Sequence, residues 1–357
     1  MMFLINQSLY FILPLLIVAL AGMFSEKSGT VNIALEGIMV IGAFAGIYFI
    51  YSVQNAMSTP EVFEALSASQ KRIYTYFSNN PQLMLIVAMI LAALAGMAFS
   101  ALLGFLAINM KANQTIGGVA LNILAGALAI FMARTLTDQG VSHLKFDNIF
   151  RFRSNAFINL FPNVQEGTIG YKVVEGINYI FFSEAFLFTY ISIAIFLVSA
   201  FIIKRTRFGM RLSACGEHPQ AAQSVGINVY KYRWAGVLIS GALGGFGGLI
   251  YIIPTSVSFH GTVNGYGFLA LAVLIFGQWK PVKILFAAIF FGLFQMLSIN
   301  LFTIDTVKVW LEANNKVPLA MIIRIMPFLI TLIALSLTSK SSRAPKASGI
   351  PFDPKGS

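Results

Sequence analysis

Asn32 and Glu36 lie one helical turn apart in the stretch Ser28-Gly29-Thr30-Val31-Asn32-Ile33-Ala34-Leu35-Glu36-Gly37, and so share a helix face. Glu36 is the only acidic residue in any apolar segment read from the sequence. A carboxylate at that depth costs about 3 kcal/mol, so it should face protein or a water-filled cavity. Asn264 stands in a partial echo of the same stretch. Gly29-Thr30-Val31-Asn32 recurs as Gly261-Thr262-Val263-Asn264, and each copy opens an apolar run, residues 38–51 and 269–276. Amides and one carboxylate supply weak, mixed donors and acceptors. Such groups suit a neutral polar molecule in passage, because a path must not hold its cargo tightly. The plainer alternative is bonding between helices, worth about 0.6 kcal/mol per group.

The elements that position these groups must be membrane helices. The chain is 57% hydrophobic and 10% charged, with a mean hydropathy of +0.79. That is too apolar for a soluble domain of this length. The net charge of +11 does not argue for nucleic acid, since the basic residues gather in certain short loops and the C-terminal stretch. A single cysteine, Cys215, excludes an intrachain disulfide, and no Cys/His cluster has metal-ligand spacing. No phosphate-binding Gly-x-x-x-x-Gly-Lys-Ser/Thr loop occurs, so ATP hydrolysis cannot reside in this chain. No nucleophile–base or carboxylate pair recommends itself as catalytic, and no cofactor is expected. The glycine-rich run 241–248 lies in an apolar span and reads as close helix packing. The 33 phenylalanines read as lipid-facing or packing residues.

Nine apolar spans are expected, at about 5–23, 31–51, 83–108, 114–133, 185–203, 234–253, 266–278, 284–303 and 318–338. Residues 1–10 carry no Lys or Arg, which argues against reading the first span as a cleaved signal peptide. The 204–233 loop holds six basic residues and one acid, Glu217, and the tail 339–357 is basic too; both belong in the cytoplasm. The segments 52–82 and 134–184 balance their charges and can lie outside. The N-terminus is then outside and the C-terminus cytoplasmic. Under this topology the two Gly-Thr-Val-Asn copies start at opposite faces, as in an inverted-topology repeat. The span 266–278 is about 20 Å long, too short for a core of ~30 Å, and reads as a broken or half helix. Interrupted segments in corresponding halves point to a substrate path near the midplane, against the plainer reading that their glycines serve packing.

The cytoplasmic loop is informative in detail. Pro219 suits the first turn of a short helix, residues 220–225 can continue it, and Gly226 suits its end. The Ala221-Ala222 pair lacks the large apolar face that lipid binding needs, so a protein groove is the better partner. Arg324 is the one basic residue well inside a span. It reads as snorkelling to the outer headgroups or, alternatively, as a partner for Glu36.

Four stretches, residues 25–44, 112–125, 206–229 and 261–277, together resemble the ABC-importer permeases of the branched-chain amino acid, ribose and nucleoside type, most of all the nucleoside branch. The resemblance covers roughly residues 9–338. It implies an all-helical, type II-like fold, with residues 1–338 as the transmembrane domain in a bacterial cell membrane. The family has one span more than the nine read here, so a missing first helix would account for an outside N-terminus. The resemblance adds Asn122, in Gly118-Val119-Ala120-Leu121-Asn122, to the path residues Asn32, Glu36 and Asn264. It implies that Gly216, Pro219, Ala221, Ala222, Gly226 and Ile227 form the segment that enters a cleft in the ATPase subunit. The partners implied are ABC ATPase subunits, a second permease subunit and an extracellular substrate-binding lipoprotein. Nucleosides fit the branch, while riboflavin or a pentose fits the residues equally well. A secondary transporter with Glu36 as its ion-coupling carboxylate is the competing class, and a channel a more distant one.

Overall fold

The computed structural model describes residues 2–137, 140, 142–152, 168–300, 325, 329 and 344–353. Apart from residues 325 and 329, the span expected at 318–338, with Arg324, lies outside the described residues. Among them, seven helices are long and apolar enough to cross a membrane. The chain is a multi-pass helical membrane protein.

Helix α1 (Met2–Lys27) is apolar on every side and sits at the centre: 94% of its apolar window is buried, against 28% for α6 (Gln114–Leu136) and for α8 (Leu187–Arg205). Around α1 pack α11 (Val229–Thr255), α12 (Tyr266–Phe276) and α13 (Pro281–Asn300). Helices α2 (Leu35–Ser58) and α5 (Pro81–Gly104) complete the core against α11. There the glycine-rich run works by close approach. A Cβ on Gly96 would stand 2.7 Å from the Gly245 Cα, and one on Gly42 would overlap the Gly245 backbone.

Several expected boundaries shift. The segment 52–82 is largely helical: α2 runs on to Ser58, followed by α3 (Pro60–Ala65) and α4 (Ala68–Asn79). Ser67 and Gln70 form a reciprocal capping box that starts α4. The segment 134–184 contributes the end of α6, strand β1 (Leu144–Lys145) and α7 (Ile169–Asn178). β1 pairs antiparallel with β2 (Ser258–Phe259) in the register Leu144↔Phe259. The loop 204–233 is mostly helix, α9 (Arg207–Glu217) and α10 (Pro219–Ser224), and its last residues already belong to α11. Arg233, expected in a solvated loop, is therefore buried, with 1% of its surface exposed.

One expectation is overturned by helix length. Because α1 continues to Lys27, Glu26 joins Glu36 as an acid in an apolar helix, and it is buried. It is met by the Trp279 indole, which donates to the Glu26 Oε2 at 2.6 Å. Trp279 and Gln278 both adopt left-handed backbone angles, φ 52° and 51°, which end α12 before Pro281 opens α13.

Candidate functional site

The site is built where two helices begin inside the protein. Between α1 and α2 the chain is unwound over residues 28–34. A helix start leaves backbone N–H groups without intrahelical partners, and Ala34 at the N-cap of α2 has no side-chain oxygen to offer them. Asn122 of α6 supplies one instead. Its Oδ1 accepts from the Gly37 N–H at 2.7 Å, while its Nδ2 donates to the Ile33 carbonyl at 2.8 Å. Gln114, at the start of α6, accepts from the Val31 N–H at 2.7 Å and holds the same connector.

Helix α12 has the same problem, since its N-cap is Gly265, with φ 78° and no side chain. Here Glu36 is the cap. Its Oε1 accepts from the Gly265 N–H at 2.8 Å and its Oε2 from the Gly267 N–H at 2.6 Å. A carboxylate at a helix N-terminus also meets the positive end of the helix dipole. The backbones touch as well: a Cβ on Gly267 would lie 2.5 Å from the Glu36 Cα. Beneath the junction, Tyr251 stacks on Tyr266 at 4.0 Å, and the Tyr266 hydroxyl donates to the Phe11 carbonyl at 2.6 Å.

Of the four expected path residues, three converge. Asn122 binds Gly37, Glu36 binds Gly265, and the exposed Asn264 directly precedes Gly265 with φ 54°. Asn32 does not join them. It is fully buried on the other side of the connector and donates to the Ser240 Oγ of α11 at 2.9 Å. Gln114 and Ser240 were missed; Gln114 carried a signal in its polar setting, Asn113-Gln114-Thr115, at the start of an apolar run.

The six residues expected to contact an ATPase divide by exposure. Ala221 and Gly226 are exposed and Ile227 is half-buried, whereas Pro219, Ala222 and Gly216 are buried. Ala222 thus faces its own chain, and only Ala221 of the pair looks outward. Gly226 ends α10 with φ 82°, its N–H bonded to the Gln223 carbonyl at 2.9 Å and that of Ile227 to the Ala222 carbonyl at 3.0 Å, a Schellman closure. Gly216 fits where a Cβ could not, because the Lys27 carbonyl at the end of α1 occupies the place, with the Gly29 N 3.2 Å away. The α9–α10 hairpin therefore rests on the connector that leads to Glu36. Burial pushes the Cys215 thiol, one residue before, up to about 11.

The family described as "Branched-chain amino acid transport system / permease component" matches residues 4–332. The chain belongs to this permease family. The permease is similar to the guanosine ABC transporter permease protein NupQ of Bacillus subtilis, 35% identical over 98% of this chain and 95% of that protein. It is similar to the nucleoside ABC transporter permease protein NupC of Lactococcus lactis, 34% identical over 95% of this chain and 93% of that one. It also resembles NupB, a nucleoside ABC transporter permease of the same Lactococcus, at 25% identity over 82% of this chain and 71% of that one. No solved structure matches the permease significantly. The relatives are transporter subunits and not enzymes.

Proposed function

We propose that this permease is the membrane-spanning subunit of an ATP-driven importer and that its cargo is a nucleoside. The observation that carries the reading is the junction of two interrupted segments, Glu36 closing the start of a half-length helix, in a chain 35% identical to a guanosine permease. An inverted repeat is supported by the two matching lead-in segments, each unwound before a helix, whose helix starts meet at Glu36. The reading keeps nine spans, and its orientation, N-terminus outside and C-terminus in the cytoplasm, rests on the basic 204–233 loop and tail. Glu36, Asn122 and Asn264 then border the path, and Asn32 braces it from behind. NupB and NupC of one organism both resemble this chain, which supports pairing with a second, homologous permease. ATPase subunits would dock on α10, and a binding lipoprotein would deliver cargo from outside. The bend between α9 and α10 lies at Gly216 against the end of α1 and the first residues of the 28–34 connector, which leads to Glu36. The ion-coupled alternative finds less support, because both oxygens of Glu36 already accept backbone amides.

Uptake of labelled guanosine, riboflavin and ribose by cells expressing the permease with its transporter partners tests the cargo. Guanosine should enter and be lost with Glu36→Gln. Entry of ribose alone would move the cargo to sugars.

A further inference from the structure

Residues 344–353, expected to be no more than a basic tail, are docked at a place where three parts of the permease meet. The Ala347 N–H donates to the Gly216 carbonyl at 2.8 Å, at the bend between α9 and α10. Two residues on, the Gly349 N–H donates to the Gly29 carbonyl at 3.2 Å, in the connector before α2. The Ile350 carbonyl accepts from Arg233 Nη1 of α11 at 3.0 Å. Phe352 is 4% exposed and packs among Cys215, Ala222 and Val229, edge-on to Tyr230 at 5.5 Å.

Arg233 explains why the segment stays in place. A buried guanidinium needs a partner, and among the described residues no carboxylate forms a salt bridge with it. The segment offers the Ile350 carbonyl and, 5.8 Å from the guanidinium carbon, the face of Phe352. The same guanidinium lies against Gly29, where a Cβ would come within 2.9 Å of Nη2. One segment thus touches the α9–α10 hairpin, the connector leading to Glu36, and the foot of α11.

We propose that residues 344–353 act as a strap that keys the α9–α10 hairpin to the α1–α2 connector, with Ala347, Ile350 and Phe352 as its positioning residues. Without the strap, a push on α10 is absorbed by local movement of the hairpin. With it, hairpin and connector move together and the push reaches the Glu36–Gly265 junction. The proposal rests on the reading of α10 as the ATPase contact.

The test uses the full complex in liposomes and two readouts on Phe352→Ala, on Phe352→Leu and on a chain cut after Arg343. Cys215 is the single cysteine and is buried beside Phe352, so maleimide labelling reports whether the strap is seated. Solute moved per ATP hydrolysed reports coupling. Phe352→Ala and the truncation should expose Cys215 and lower solute per ATP about fivefold, at an unchanged amount of permease in the membrane. Phe352→Leu should restore both. Labelling that rises while the ratio holds would reduce the strap to a cover over Cys215 and overturn the proposal. Labelling that stays low after truncation would show that nothing is seated there, and would overturn it equally. A wild-type complex with no ATP-dependent uptake would instead refute the importer reading, and the coupling role with it, while labelling still reports the seat.

Discussion

Asn122 does for α2 what Glu36 does for α12. Each side chain reaches from one helix to the open start of another, Asn122 to the Gly37 N–H and Glu36 to the Gly265 and Gly267 N–H groups. The caps form a relay from α6 to α2 to α12, because the residue that caps α12 sits beside the one that is capped in α2.

Glu36→Gln keeps one acceptor oxygen and replaces the other with a donor that faces the Gly265 or Gly267 N–H. Losing a charged hydrogen bond costs about 1.5–3 kcal/mol, so uptake should fall at least tenfold while the protein still reaches the membrane. Initial uptake rates normalised to membrane-fraction immunoblots measure this. Rates equal to wild type would deny the cap its role.

Asn122→Ala leaves the Gly37 N–H and the Ile33 carbonyl unpaired, at a cost of about 1–3 kcal/mol each. Asn32→Ala removes a single bond to Ser240 in the core and should cost only about 1 kcal/mol. The expected order in both detergent melting temperature and uptake is Asn122→Ala below Asn32→Ala. The reverse order would return Asn32 to the path.

The multi-pass helical class, the half helix expected at 266–278 and found at 266–276, and the short helix behind Pro219 were legible in the sequence, because hydropathy and Pro/Gly punctuation are local signals. The shared Gly-Thr-Val-Asn pointed from the Glu36 stretch to the Asn264 stretch, and Glu36 accepts from Gly265, the residue after Asn264. What the sequence could not carry was direction. Asn32 and Glu36 share a helix face only if residues 32–36 are helical, and α2 begins at Leu35. With residues 28–34 unwound, Asn32 turns to Ser240 and Glu36 to Gly265. Arg233 and Glu26 were misplaced for a related reason: Arg233 lies just before an apolar run and Glu26 just after one, each in a helix that hydropathy alone cuts short.

Gly96→Ala should be more damaging than Gly126→Ala. The first puts a methyl against the backbone of Gly241 and Gly245, whereas the second meets its nearest neighbour, the Gly261 carbonyl, at an ordinary 3.7 Å. Overpacking of this kind costs about 1–3 kcal/mol. Thermal stability of the two variants in the same detergent decides it, and equal melting temperatures would count against the close approach of α5 and α11.

Gly226 has open space around an added Cβ but a left-handed backbone. Gly226→Val should therefore loosen the end of α10, strain costing about 1–2 kcal/mol, without harming membrane insertion. ATP hydrolysis by the reconstituted complex should persist while substrate no longer stimulates it. Stimulation at the wild-type level would place the ATPase contact elsewhere.

Cys215 offers a check by pH. Its thiol is raised to about 11 by burial, with Arg233 pulling the other way. Only the thiolate reacts, so alkylation of the folded protein should be slow near neutrality and rise about tenfold per pH unit up to that value. A plateau near pH 9 would mean that the thiol is open to water.

The bond between Glu36 and Gly265 joins residues 229 positions apart, whereas Asn122 is 85 positions from Gly37. At about 5–20 residues per second of synthesis, Glu36 waits roughly ten to fifty seconds in a nascent chain for the amides it will bind. Through that interval an unmatched carboxylate stands at the head of α2. A translation product that stops before residue 265 never acquires those amides, and its Glu36 stays an unmatched carboxylate at the head of α2.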